Sequence, residues 1–331
     1  MHRSASAAAG DSLADIPELL KKADGLLRPA GFFISLLGRG SDPDAALSIY
    51  TQCAQRYKLA RRWTEAADCY VRASFAAQRA EDFSAEAQML AEAGNVLKRV
   101  NAADAEEQLS AGAAVYVRQG RWGQAAKLYR GIAEMYEEAA EGSAGAELGS
   151  AAAGAGALQK ILFFYKKAAE TYELDEYGKS AFSQCRCKYA EYAAKNDETI
   201  HEAIQIFEQE GDKATRNNLL QFSAKDFYLK ALILLLSSGD AVSAKIALDR
   251  YMARDPRLEG SREGRLAAAL VSAMEEGDVE PFTEALDEYD RISKLDAWKI
   301  HFLLKAKRRL MHADGGGGSY AVGDDGEVDL S

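Results

Sequence analysis

The 331 residues are 48% hydrophobic and 28% charged, an ordinary composition for a folded chain and enough length for two domains or one long repeat array. Five prolines among abundant Ala, Leu, Glu, Lys and Gln favour helix over strand, and a net charge of −10 disfavours a protein that coats nucleic acid by bulk charge. The longest apolar runs, such as Ala231 to Leu236, fall far short of the roughly 20 residues that span a bilayer. Met1 to Asp11 are Ala/Ser-rich without the apolar centre of a secretory signal, so a cytoplasmic chain with reduced thiols is expected.

Helical signals follow in chain order. A first helix is expected from about Asp15 to Leu27, halted by Pro29 and Gly31. Next comes the uncharged segment Phe32-Phe33-Ile34-Ser35-Leu36-Leu37, bracketed by Gly31 and Gly38. It suits either packing on its neighbours or shallow insertion into a bilayer or partner. A second helix opens at Ser41-Asp42-Pro43, a cap followed by a first-turn proline. From there small residues recur a turn before an aromatic: Ala45-Ala46 with Tyr50, Ala66-Ala67 with Tyr70, Ala125-Ala126 with Tyr129, Ala168-Ala169 with Tyr172. Small residues let helices approach and aromatics fill the adjoining gap. Alanines 45, 66, 87, 105 and 125 are spaced by one helix plus a short turn, so two helices make a unit of about 40 residues. Arg61-Arg62-Trp63, Asp82-Phe83, Arg121-Trp122 and Asp175-Glu176-Tyr177 mark the turns. Residues 141–156, rich in Gly, Ala and Ser, are expected to be a flexible insertion within one hairpin, and 219–236 a longer buried helix. Further helices are expected near 240–254, 260–276, 279–290 and 292–312.

The expected fold is all-α: a tetratricopeptide-like α-solenoid of helical hairpins over 1–211, a C-terminal helical bundle over 212–312, and an acidic Gly-rich tail over 313–331. Cys53, Cys69, Cys185 and Cys187 form neither a disulfide framework nor a zinc spacing, and are expected to be structural. His2, His201, His301 and His312 adjoin no nucleophile or metal motif, and Gly315 to Gly318 follow a helix as a linker rather than a phosphate loop. No enzyme, cofactor or metal site is therefore expected. Charge is uneven instead. Arg56, Lys58, Arg61 and Arg62 form one basic group, Arg118, Arg121, Lys127 and Arg130 a second, and Glu275 to Asp290 is acidic without a Lys or Arg. Basic groups at matching repeat positions suit a cationic stripe that meets an acidic partner.

Five stretches resemble the soluble NSF attachment proteins, the alpha type in particular. They are Gly31-Phe32-Phe33 with Leu36-Leu37-Gly38; Tyr57 to Trp63; Ala91-Glu92-Ala93-Gly94-Asn95; Phe222-Ser223-Ala224-Lys225-Asp226-Phe227; and Glu288 to Asp296. The likeness runs from about residue 16 to 312. It implies an adaptor that binds the assembled SNARE four-helix bundle, recruits the hexameric ATPase NSF and stimulates it to take the bundle apart in membrane fusion. The implied SNARE-facing cations are Arg61, Arg121, Lys127, Lys188 and Lys225, while a further basic position of the family falls on Gln184, with Arg186 close by. Phe32 and Phe33 correspond to a loop that attaches weakly to the membrane surface. Asp240, Glu275 and Glu276 correspond to ATPase-facing acids, and Leu330 to the penultimate leucine that stimulates the ATPase. A peripheral, cytoplasmic protein with no nucleic-acid partner is implied. The alternative from the residues alone is a peptide-binding helical-repeat scaffold of the co-chaperone type, which a carboxylate clamp of Lys and Asn would mark; none is found.

Overall fold

The computed structural model describes residues 13–28, 41–143 and 151–314. Phe32, Phe33 and Leu330 lie outside the described residues. The described regular structure is helical: α1 (Ile16–Leu27), α2 (Pro43–Leu59), α3 (Trp63–Arg79), α4 (Phe83–Leu97), α5 (Ala102–Arg118), α6 (Trp122–Ser143), α7 (Ala151–Glu173), α8 (Lys179–Ala193), α9 (Ile200–Thr215), a 3-10 turn (Gln221–Ser223), α10 (Ala224–Ser238), α11 (Ala241–Arg254), α12 (Arg262–Glu276), α13 (Val279–Ile292) and α14 (Ala297–Asp314). Contacts divide the chain between Tyr192 and Ala193, ahead of the expected boundary at 211/212. The reason is α9, which packs on α10: Gly211 lies where a Cβ would meet the Tyr228 ring at 2.6 Å.

In the first unit the small-residue pattern builds the core. Ala46, Ala66, Ala87, Ala105, Ala125 and Ala168 are fully buried, and Tyr50, Tyr70, Tyr129 and Tyr172 fill the spaces beside them. Caps set the helix starts: Asp42 accepts from the Ala45 amide at 2.9 Å, Asp82 from Ala85 at 2.9 Å and Asn101 from Ala103 at 2.9 Å.

Among the described residues, a tight turn joins helices in five hairpins. After α2, α3 and α5, and in the second unit after α10 and α12, one residue adopts positive φ: Arg61 (59°), Glu81 (58°), Gly120 (69°), Gly239 (85°) and Gly277 (74°). The amide that follows closes back on the carbonyl five residues earlier: Arg62 on Tyr57 at 2.9 Å, Asp82 on Ala77 at 3.0 Å, Arg121 on Tyr116 at 2.9 Å, Asp240 on Leu235 at 3.3 Å and Asp278 on Ala273 at 3.0 Å. This is the Schellman closure, with the closing residue also opening the next helix.

A second device spans three successive helices. A carboxylate on one helix accepts from a Tyr hydroxyl on the next and pairs with a cation on the one after. The sets are Asp24–Tyr50–Arg72, Glu106–Tyr136–Lys160 and Glu137–Tyr165–Lys188 in the first unit, and Asp212–Tyr228–Arg254 in the second.

Two local expectations are corrected. Residues 219–223 are not buried helix: Leu219, Leu220 and Phe222 are exposed, because the Asn217 side chain accepts from the Leu219 amide at 2.9 Å and makes a turn there. Parts of 141–156 are helical, since α6 continues to Ser143 and α7 begins at Ala151; alanine's high helix propensity outweighs the interspersed glycines. In the second unit Phe282, Phe302, Tyr228, Tyr251 and the leucines of α10 form the core. Lys299 of α14 is buried there because it pairs with Asp226 at 2.7 Å and Asp296 at 3.1 Å.

Candidate functional site

Within the first unit the antiparallel helices alternate their turns between two ends. Arg61 lies at the α2–α3 turn, and Arg99, from the α4–α5 turn, stacks on Trp63 at 4.9 Å, so both belong to one end. Arg121 lies at the other end, where its Nη1 donates to Ser84 Oγ at 2.6 Å. Lys127 follows six residues along α6, about 9 Å further. Lys188 is in α8, bonded to Glu137 at 2.6 Å. Within the first unit these cations thus lie at both ends of the helices and along the helices between them.

Charge pairing separates them. In the two basic groups, Arg56 pairs with Asp15, Lys58 with Glu92, Arg62 with Glu65, Arg118 with Glu86 and Arg130 with Glu134. Arg61, Arg121 and Lys127 are exposed and have no carboxylate partner among the described residues. These are the three members of the two groups that the family resemblance marks as SNARE-facing. Their charge is available to an outside anion, whereas each paired cation would first have to give up an internal bond. Lys188 and Lys225 differ: each already holds an internal carboxylate, Glu137 and, at 2.9 Å, Glu263. Burial pushes both acids upward, but their bonds to lysine and, for Glu137, to Tyr165 outweigh it and leave them below the usual carboxylate range. Gln184 is exposed, and Arg186 stacks on Phe182 at 5.4 Å. Arg99 is not among the cations expected from the sequence. It is exposed and without an ion pair among the described residues, and the Lys98-Arg99 dipeptide just before the Asn101 cap was the available signal.

The second unit is polarised. The Lys225–Glu263 pair brings the beginnings of α10 and α12 to one end, with Arg257 and Arg262 nearby in the chain. Both helices have 15 residues, so they also finish at a common end, about 22 Å away. There stand Asp240, Glu275, Glu276 and Asp278. Asp240 accepts from the Ser243 amide at 2.8 Å, and the Ser243 side chain, with that amide, holds its carboxyl below the usual range. Glu276 accepts from Ser272 at 2.8 Å, and Glu275 is exposed. Arg309 also reaches this end, donating to the Ser238 carbonyl, so the acids stand beside an arginine a helix length from Lys225.

Chemistry is sparse elsewhere. Cys53, Cys69 and Cys185 are buried, and burial pushes the Cys69 thiol up to about 12 and that of Cys185 up to about 11, which leaves them unreactive near neutrality. Among the described residues no group of three or more His, Cys, Asp or Glu could hold a metal ion. No helix among them is long and apolar enough to cross a membrane.

Stacked helical hairpins with exposed charged side chains define an α-helical repeat scaffold, and the comparisons give its family. The family model "Soluble NSF attachment protein, SNAP" matches residues 14–311, and the chain belongs to that family. It is 34% identical to the alpha-soluble NSF attachment protein of Vitis vinifera over 88% of this chain and 93% of the relative. It is 33% identical to the alpha protein of Mus musculus, covering 84% and 88%, and 32% identical to the beta protein of Bos taurus, covering 91% and 95%.

Proposed function

We propose that this protein is an adaptor that binds assembled SNARE complexes and recruits and stimulates NSF for their disassembly. The observation that carries the reading is the selective freedom of Arg61, Arg121 and Lys127 within groups whose other cations are internally paired. An acidic four-helix rod would meet these cations, with Lys188 and Lys225 adding contacts as they exchange internal carboxylates for external ones. Each contact is weak and salt-sensitive, so useful affinity comes from several acting together. The acidic end of the second unit, Asp240 with Glu275 and Glu276, would face the ATPase. Phe32 and Phe33 would attach the adaptor weakly to the membrane surface, making it peripheral, and Leu330 would contribute to ATPase stimulation. The protein's own role is mechanical coupling rather than bond chemistry.

The test is binding of the full chain to a soluble assembled SNARE complex at moderate salt. Arg121→Glu with Lys127→Glu is expected to weaken binding at least tenfold, a loss on the order of 1.4 kcal/mol or more. Unchanged binding would overturn the reading.

A further inference from the structure

The turn that presents Arg121 occurs a second time with an arginine at the same point. Arg62 and Arg121 each close a Schellman turn on a tyrosine carbonyl five residues earlier, both at 2.9 Å. Each guanidinium stacks on the ring of that same tyrosine, Arg62 over Tyr57 at 5.2 Å and Arg121 over Tyr116 at 5.3 Å. Each is followed by a tryptophan that begins the next helix, Trp63 or Trp122. Neither arginine suits the start of a helix. The position opens a helix, and in the other three turns Asp82, Asp240 and Asp278 fill it and accept backbone amides. An arginine side chain has no acceptor, and a cation opposes the positive end of the helix dipole. Arg62 accordingly makes no side-chain cap bond.

The two sites differ in the residue before the arginine, Arg61 or Gly120, in the Ser84 bond of Arg121, and in charge pairing. Arg62 Nε donates to Glu65 at 2.7 Å, whereas the residue three places after Arg121 is the uncharged Gln124. Arg62 and Glu65 are both well exposed, with half and two-fifths of their side-chain surface open. The exchange of Glu65 for an outside carboxylate therefore needs no unfolding. Arg61, with no carboxylate partner among the described residues, and Arg99, stacked on Trp63, stand beside it.

We propose that Arg62 is a second docking arginine for the acidic helical surface of the SNARE bundle, and that Glu65 is an internal latch competing for it. This rests on the functional reading above. Tyr57 holds the guanidinium plane in place, so an incoming carboxylate meets a pre-oriented fork as it does at Arg121.

The experiment measures affinity of the full chain for a soluble assembled SNARE complex across a salt series. Arg62→Gln is expected to weaken binding about fivefold and flatten the salt dependence, and Glu65→Gln to strengthen it about twofold. The double variant is expected to bind as Arg62→Gln alone, because a latch has nothing to release once its arginine is gone. If Glu65→Gln strengthens binding equally in the Arg62→Gln background, Glu65 acts by bulk charge and the latch is overturned. If Arg62→Gln binds normally while Arg121→Glu with Lys127→Glu does not, the docking role of Arg62 is overturned and the functional reading stands. If neither variant weakens binding, the functional reading itself fails.

Discussion

Arg61 and Glu81 hold left-handed backbone where three homologous turns use glycine. A side chain there costs about 1 kcal/mol. At Glu81 nothing in the structure explains the choice; Arg61 is an exposed cation without a carboxylate partner among the described residues, which supports the docking role proposed for it. Arg61→Gly is expected to raise unfolding free energy by about 0.5 kcal/mol in urea titrations, while weakening SNARE-complex binding. A variant that gains stability and loses no affinity would show that Arg61 has no docking role. The positions of these cations were legible in the sequence, because basic residues cluster around turn signals. Their availability was not. Whether a cation is paired depends on carboxylates far along the chain, such as Asp15 for Arg56 and Glu92 for Lys58, which only helix packing brings near.

Helix starts, turns and the buried alanine–tyrosine faces could be read from sequence, since caps and periodic small residues act locally. The carboxylate–tyrosine–cation sets could not, because their members come from three helices and follow no fixed spacing. They explain why Lys188 is more than a surface charge: with Glu137 and Tyr165 it ties α6, α7 and α8 together. Glu137→Gln is expected to cost about 2 kcal/mol of stability at neutral pH, since it weakens charge-assisted bonds to partly buried partners. The pH dependence has a definite sign. Glu137 lies below its ordinary value of 4.5 in the folded chain, so its stabilisation is complete above that pH and lost as pH falls through the lowered folded value. Urea midpoints of wild type and Glu137→Gln should therefore converge below pH 4.5; a constant gap would refute the ionic account. The expectation failed at 219–223, where an Asn217 turn overrode apolar composition; the described parts of 141–156 are helical because alanine helicity overrode glycine content.

At the scale of the molecule, the family, the all-helical fold and the adaptor role were carried by motifs spread over most of the chain, which is why they were legible without coordinates. The separation of charges within the second unit was not, because it requires α10 and α12 to begin side by side through Lys225 and Glu263. An adaptor must hold its cargo and its motor through different surfaces, and this unit places Lys225 and the acids Asp240, Glu275 and Glu276 about 22 Å apart. Reversing the acidic end should thus spare cargo binding. Glu275 and Glu276 suit this test better than Asp240, whose carboxylate also caps α11, and lysines at a helix C-terminus favour its dipole.

The most direct measurement is NSF-catalysed disassembly of a soluble SNARE complex fully occupied by the Glu275→Lys, Glu276→Lys variant, with binding checked on the same sample. The account predicts normal SNARE binding with disassembly reduced at least tenfold. Normal disassembly, or a loss of SNARE binding in step with activity, would contradict it.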